Sequence, residues 1–285
     1  MITYNHEKFI RQALDSVLMQ QVDFDYEVVI GEDRSTDSTR SILLEYQKKY
    51  PEKIRLLLHE KNLGGTKNFA STFQSCRGEY IAILEGDDYW LSSDKVQKQI
   101  DFLKARPEYV LCFHNVVAQF EDGRQQVWNR LFPHLKEFLD SAEKRRSFEI
   151  SDLLKANFIP TGSVLFRGGL LRQLPEWISS LKLGDWPLFI LLAQFGKIGF
   201  IDEIMGAYRI HHESLWFNAC PIMRMEEGVK MFSLISRHFD FRYHKIIRRK
   251  IAFHYFDLAK AYWSQREWKK ALARLFACFK VFLRT

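Results

Sequence analysis

The chain is built from short apolar runs separated by stretches in which apolar residues return every three or four positions. Tyr80, Ile81, Ala82, Ile83 and Leu84 form one continuous run, the pattern of a strand buried on both faces of a mostly parallel sheet. Tyr26–Ile30 (YEVVI) and Ile54–Leu58 (IRLLL) read the same way. Between these runs the period lengthens. Phe9, Ala13 and Val17, flanked by Ile10, Leu14 and Leu18, stand at helical spacing. Ile42, Leu43 and Tyr46 follow Ser35, Thr36 and Asp37, which offer helix caps, and Phe69, Phe73 and Cys76 share a helical face that ends at Gly78. Strands alternating with helices at this interval predict an α/β fold with a doubly wound, mostly parallel sheet. Its loops would reach one edge, gathering Tyr4 and Asn5, Asp33, Asn62 and Gly64, and the polar stop Glu85-Gly86-Asp87-Asp88. Open α/β sheets bind ligands at such an edge. Met1–Asn5 reads as the end of a strand whose beginning would lie upstream.

Further along, Lys95–Leu103 predicts a helix through Val96, Ile100 and Leu103, and Val110–Phe120 reads as one or two strands ending at the Asp122-Gly123 turn. Residues 124–150 are mixed; their charged stretches around Lys136–Arg146 could cover an acceptor site. From about Phe217 the pattern is wholly helical, over 223–239, 243–263 and 268–283. In the last of these, Leu272, Leu275, Phe276, Phe279 and Phe282 oppose Arg266, Lys269, Lys270, Arg274 and Lys280.

Charge sharpens that division. The net charge of the 285 residues is +7, but from Arg237 onward 13 Lys/Arg face 3 Asp/Glu, so the rest of the chain is slightly acidic. A near-neutral body with a basic, aromatic tail points away from nucleic acid. It fits a helical cap, a protein contact or a peripheral contact with an anionic membrane. The spacing in AFHYFDLAKAYWSQREWKKALARLF also resembles a single helical-repeat unit, which cannot bury its own face. No run approaches the roughly 20 apolar residues that cross a bilayer, and the four cysteines are scattered without metal-ligand spacing. A cytoplasmic protein, peripheral at the inner face of the membrane, is the expectation.

The chemistry is concentrated in EGDD. Three carboxylates this close repel one another unless a cation sits among them, and hard oxygen ligands suit Mg²⁺ or Mn²⁺. The alternative is a solvated acidic turn. There is no GxGxxG and no GxxxxGK[ST], so a bound nucleotide would have its phosphates held through the metal.

Four stretches in order, TYNHEKFIRQALDSVLMQ, VVIGEDRSTDST, NLGGTKNFASTF and GEYIAILEGDDYW, resemble the family-2 inverting glycosyltransferases with the GT-A fold, as do IPTGSVLFR and the segment 184–214. The resemblance covers most of residues 1–216. It implies a nucleotide-binding half (1–90), an acceptor half (91–216) and a helical extension (217–285). It implies an enzyme moving a sugar from a nucleoside-diphosphate donor to a glycan or lipid-linked acceptor in surface-polysaccharide synthesis. Family members carry about five apolar residues before TYN, so a start upstream is expected.

By the same resemblance, Thr3, Tyr4 and Asn5 line the nucleoside pocket with Asn62 and Gly64, and Asp33 accepts a bond from the base. Glu85-Gly86-Asp87 stands at the family's Asp-any-Asp motif, glutamate replacing the first aspartate. Asp87 is then the metal ligand, with Asp88 and Glu85 as alternatives. Arg209 and His211, in YRIH, would meet the diphosphate and the metal. Thr161, Gly162 and Ser163 would contact donor sugar or acceptor, or form an ordinary turn, and Trp90 would stack on a sugar or sit in the core. Asp185 is the expected catalytic base, or else a helix cap. The competing reading is a non-catalytic scaffold that kept the fold; a nucleotidyltransferase would need a glycine-rich phosphate loop after the first strand, which this sequence does not carry.

Overall fold

The computed structural model describes residues 1–131, 146–171, 173–212, 214 and 219–283. Of the charged stretch around Lys136–Arg146, all but Arg146 lies outside the described residues.

The N-terminal part is a parallel three-stranded sheet in the order β1 (Ile2–Thr3), β2 (Val28–Glu32), β3 (Ile54–Leu58). It is crossed by α1 (Ile10–Leu18), α2 (Thr39–Lys49) and α3 (Gly65–Ser75). Ile10, Leu14, Val28, Ile30, Leu43 and Ile54 close the core between sheet and helices. β2 runs two residues further than its apolar stretch suggests, through Gly31 and Glu32. Gly31 is required there, because a Cβ would fall 2.0 Å from Thr72 Oγ1 and 2.1 Å from Asn68 Oδ1 on α3. Glu32 is buried and satisfied: Arg40 donates to it, and the Ser35 N–H donates to Oε1 at 2.5 Å.

The second sheet is mixed. Its path is β4 (Tyr80–Ala82), β9 (Leu165–Arg167), β6 (Tyr109–Phe120), β10 (Lys197–Ile210), β5 (Tyr89–Trp90), with β7 (Gln125–Val127) on β6 and β8 (Ser147–Phe148) on β10. Only β6 and β10 run parallel; β9, β5, β7 and β8 pair antiparallel. The parallel character predicted for the whole sheet therefore belongs mainly to its N-terminal half. A parallel bridge between Ile2 and Glu85 and a bond from Gly86 N–H to Ile2 O (2.9 Å) join the two sheets at the acidic turn.

Helix α4 (Lys95–Lys104) packs on β6, and α5 (Asp185–Leu192) is apolar all round and buried from Pro187 onward. Three helices follow: α6 (Pro221–His238), α7 (His244–Ser264) and α8 (Trp268–Leu283). Met231, Phe232 and Ile235 of α6 and Ile247 and Ile251 of α7 join the same core as Leu188–Leu192. The helical region is thus partly a cap on the sheet. No described helix is long and apolar enough to cross a membrane.

Candidate active site

At the exit of β1 the chain turns sharply, Asn5 taking a φ of 54°. Asn is among the few residues that adopt this region at low cost, and its side chain is held by Thr36, whose N–H donates to Asn5 Oδ1 at 2.8 Å. The Asn5 and His6 N–H groups donate to Ser35 Oγ (3.0 Å) and Thr39 Oγ1 (2.8 Å). The β1 and β2 loops are thereby one unit. Thr3 is buried, with Oγ1 3.2 Å from His6 Nδ1, whereas Tyr4 is exposed.

The acidic turn lies beside this unit. Gly86 permits the approach, since a Cβ there would stand 2.6 Å from Thr3 Oγ1 and 2.9 Å from His6 Nδ1. Asp87 Oδ2 is 3.1 Å from His211 Nε2 and 3.8 Å from His6 Nε2. Burial works against the Asp87 charge, but the His211 hydrogen bond and the nearby imidazoles hold the carboxyl below its usual range. Glu85 behaves oppositely: burial, then the charges of Asp87 and Asp185, push it well above that range. Its Oε2 finds no hydrogen-bond partner among the described residues. A buried acceptor left unpaired in this way marks a place for a ligand donor. Asp88 is also pushed well up, by burial and then by Asp87 and Glu85, and its Oδ1 accepts the Arg209 backbone N–H at 2.8 Å. That carboxylate ties the turn to β10.

Arg209 does not reach outward. Its guanidinium lies between the rings of Phe9 (5.2 Å) and Tyr89 (4.4 Å) and donates to the Asp87 carbonyl and to Gln12 Oε1. His211 is buried against Phe9, ring centroids 4.8 Å apart. Tyr208 sits among the carboxylates: burial, then Asp88, Glu85, Asp87 and Asp185, raise its phenol well above the usual value.

Asp185 is the first residue of α5, with Gly184 in the cap position. Its Oδ2 accepts from Thr161 Oγ1 at 3.2 Å and from Asn157 Nδ2 at 3.4 Å. Burial raises its pKa, and bonds from the Trp186 N–H, Thr161 and Asn157 offset only part of that. Thr161 thus stands at the predicted base.

Two of the open alternatives are decided here in favour of packing. Trp90 is 5% exposed, donates its Nε1–H to Gly162 O (2.8 Å) and has Lys95 Nζ 3.8 Å from its ring centroid, so it offers no face to a sugar. Ser163 is buried and donates to Pro160 O at 2.6 Å, and Gly162 is buried with it. Both belong to the packing beneath the site. Asp33 is 2% exposed, and its two oxygens accept the N–H groups of Leu63 (2.7 Å) and Gly64 (2.9 Å), while Asn62 Nδ2 donates to the Asp33 carbonyl (3.1 Å). The Asn62–Gly64 loop is hung on Asp33. Sequence reasoning passed over His6, although it directly follows TYN, and over Gln12, which no local pattern distinguishes.

A metal would find Asp87 Oδ2 and His211 Nε2 converging, with Glu85 Oε2 unpaired nearby. Among the described residues no three His, Cys, Asp or Glu side chains are set out around one point. Two protein ligands suit a cation that completes its shell with phosphate and water.

Residues 1–169 match the family described as glycosyl transferase family 2. The chain belongs to that family. An uncharacterized protein of Mycobacterium tuberculosis is 38% identical over 223 residues, which are 76% of this chain and 60% of that protein. This chain thus spans about 60% of that relative's length. TuaG of Bacillus subtilis, named as a teichuronic acid biosynthesis glycosyltransferase, is 29% identical over 76% of this chain and 79% of its own. Two solved structures share the fold. S. aureus TarS 1-349 in complex with UDP-GlcNAc has a TM-score of 0.67 at 20% identity, over 97% of this chain and 79% of that one. A mannosyltransferase from Pyrobaculum calidifontis in complex with GDP-Man and Mn²⁺ has a TM-score of 0.60 at 16% identity, over 97% and 84%. Both bear out the GT-A fold that the resemblance implied, on the α/β architecture predicted from the strand and helix order.

Proposed function

We propose that this family-2 protein is an inverting glycosyltransferase that moves a sugar from a nucleoside diphosphate to a hydroxyl of a glycan or lipid-linked acceptor, in synthesis of a surface polysaccharide at the inner face of the membrane. The observation that carries this reading is the pairing of two unlike acidic centres. Asp87, held ionised by His211, is suited to a cation; Asp185, raised by burial and fixed by Thr161 and Asn157, is suited to accept a proton. TarS with UDP-GlcNAc and the mannosyltransferase with GDP-Man and Mn²⁺ support a nucleotide-sugar donor and a divalent metal.

In this reading Asp87 and His211 hold Mn²⁺ or Mg²⁺, and Glu85 takes a hydroxyl of the donor on its unpaired oxygen. The bound cation would stabilise negative charge on the departing diphosphate. Thr3, Tyr4 and Asn5 form the nucleoside wall. Asp33 positions the Asn62–Gly64 loop on its far side, and a base that bonds Asp33 does so in place of one loop N–H. Arg209 sets the height of the acidic turn by clasping the Asp87 carbonyl. Asp185 receives the acceptor proton as the acceptor oxygen attacks the anomeric carbon, opposite the leaving group. A single displacement of this kind inverts the anomeric centre.

Thermal unfolding with UDP, dTDP and GDP, each with and without Mn²⁺, tests this directly. Ligand at 100 times its Kd adds about 2.7 kcal/mol to the folded state. The expected result is that one nucleotide stabilises only with metal, that Asp87→Ala removes the effect, and that Asp185→Asn keeps it while abolishing transfer. Stabilisation by no nucleotide would favour a scaffold that kept the fold without turnover.

A further inference from the structure

The outer surface of the C-terminal hairpin carries apolar side chains where a soluble cap would carry polar ones. On α8, Trp268, Leu272, Phe276, Phe279 and Leu283 recur at steps of four and three, which places them on one face. All are exposed, Phe276 to 71% and Leu283 to 78%, while Ala271 is the residue of that helix that is buried. On α7, Phe253, Phe256 and Trp263 fall on one face with Lys245, Arg249 and Lys260, and all six are exposed. The two faces meet where Trp263 and Trp268 stand edge to face, centroids 4.6 Å apart. These are not side chains spilling from the core. The inner face of α7 is separately buried through Ile247, Ile251, Leu258 and Tyr262.

Charge selects the occupant. Neither exposed face holds an acidic residue; the acids of the hairpin, Asp257 and Glu267, are half-buried and paired with Lys260 and Lys270. A second copy docking through this face about a two-fold axis would set Lys and Arg against Lys and Arg. An anionic lipid surface meets both features at once, since acyl chains cover Phe and Leu, Trp settles at the headgroup level and the basic residues face phosphate. No described helix can span a bilayer, so the hairpin would lie on it.

We propose that the α7–α8 hairpin docks the protein on a membrane rich in anionic phospholipid. This deepens the reading of a lipid-linked acceptor, but docking needs neither donor nor metal, so the two readings fail separately.

The test is cosedimentation of the full chain with phosphatidylcholine vesicles, with and without phosphatidylglycerol, at low and high salt. Binding is expected only with phosphatidylglycerol and should weaken as salt rises. Each basic residue at such a surface strengthens binding about fivefold, so Lys245→Ala with Arg249→Ala, both on the exposed α7 face, should weaken it about 25-fold. Phe276→Ser with Phe279→Ser should abolish it. Both double variants should retain the wild-type melting temperature, because the altered side chains are exposed. No binding by the wild type, equal binding to neutral vesicles, or a lipid-free dimer dispersed by the Phe variants would each overturn the proposal.

Discussion

Replacing Lys95 by Met should stabilise the protein at neutral and acidic pH, and the gain should shrink as the pH rises. Lys95 opens α4, is fully buried, and its Nζ has no hydrogen-bond partner among the described residues. Burial lowers its pKa from 10.5 to about 7, with Cys112 the opposing neighbour. The unfolded chain therefore binds a proton that the folded chain resists between those values. Stability due to this residue rises with pH across that window, and the penalty is fully present below about pH 7. A drop of that size corresponds to about 5 kcal/mol. The ring of Trp90, 3.8 Å away, favours the ammonium and offsets about 2 kcal/mol of it. A net gain of about 3 kcal/mol for Lys95→Met at pH 6 follows, disappearing toward pH 10. Urea unfolding at both pH values measures it, with an unchanged slope as the sign that only stability moved. If the variant is less stable than wild type at pH 6, the ammonium has a compensating partner and the reasoning is wrong. The same variant should turn over more slowly, because Trp90 holds Gly162 and, through it, the Thr161 hydroxyl on Asp185.

Three other outcomes are expected. Gly86→Ala should cost about 1–3 kcal/mol in chemical denaturation and weaken nucleotide-induced stabilisation, because the new methyl meets Thr3 Oγ1 at 2.6 Å. Asp33→Ala strands the Leu63 N–H, at about 1–3 kcal/mol if it stays dry, while the Gly64 N–H keeps Asn62 Oδ1, and should raise the donor KM more than it lowers kcat. The raised pKa of Asp185 puts the acidic limb of kcat above that of an exposed aspartate, turnover falling as the pH drops and the base is protonated. Asp185→Asn should remove that limb and lower kcat by about 10²–10⁴.

Periodicity made the N-terminal half legible. IRLLL is β3 to the residue, the helical spacing of Ile10 to Leu18 is α1, and the three C-terminal helices fall within two residues of their predicted bounds. These are local properties, written in the order of apolar residues. EGDD was legible as chemistry because charges that repel at short range need a reason to be together. The direction of β9 and β5, the burial of Trp90 and the engagement of Asp33 were not. Each depends on partners distant in the chain, as when Gly162 meets Trp90 across 72 residues and His211 meets Asp87 across 124. The sequence by itself determined the strands of the N-terminal sheet, the longer helices and where carboxylates gather at strand ends. Only the tertiary structure decided which carboxylate stays ionised, which is raised and which is tied into the sheet. Burial and neighbouring charge set those states, and both are properties of the packed chain.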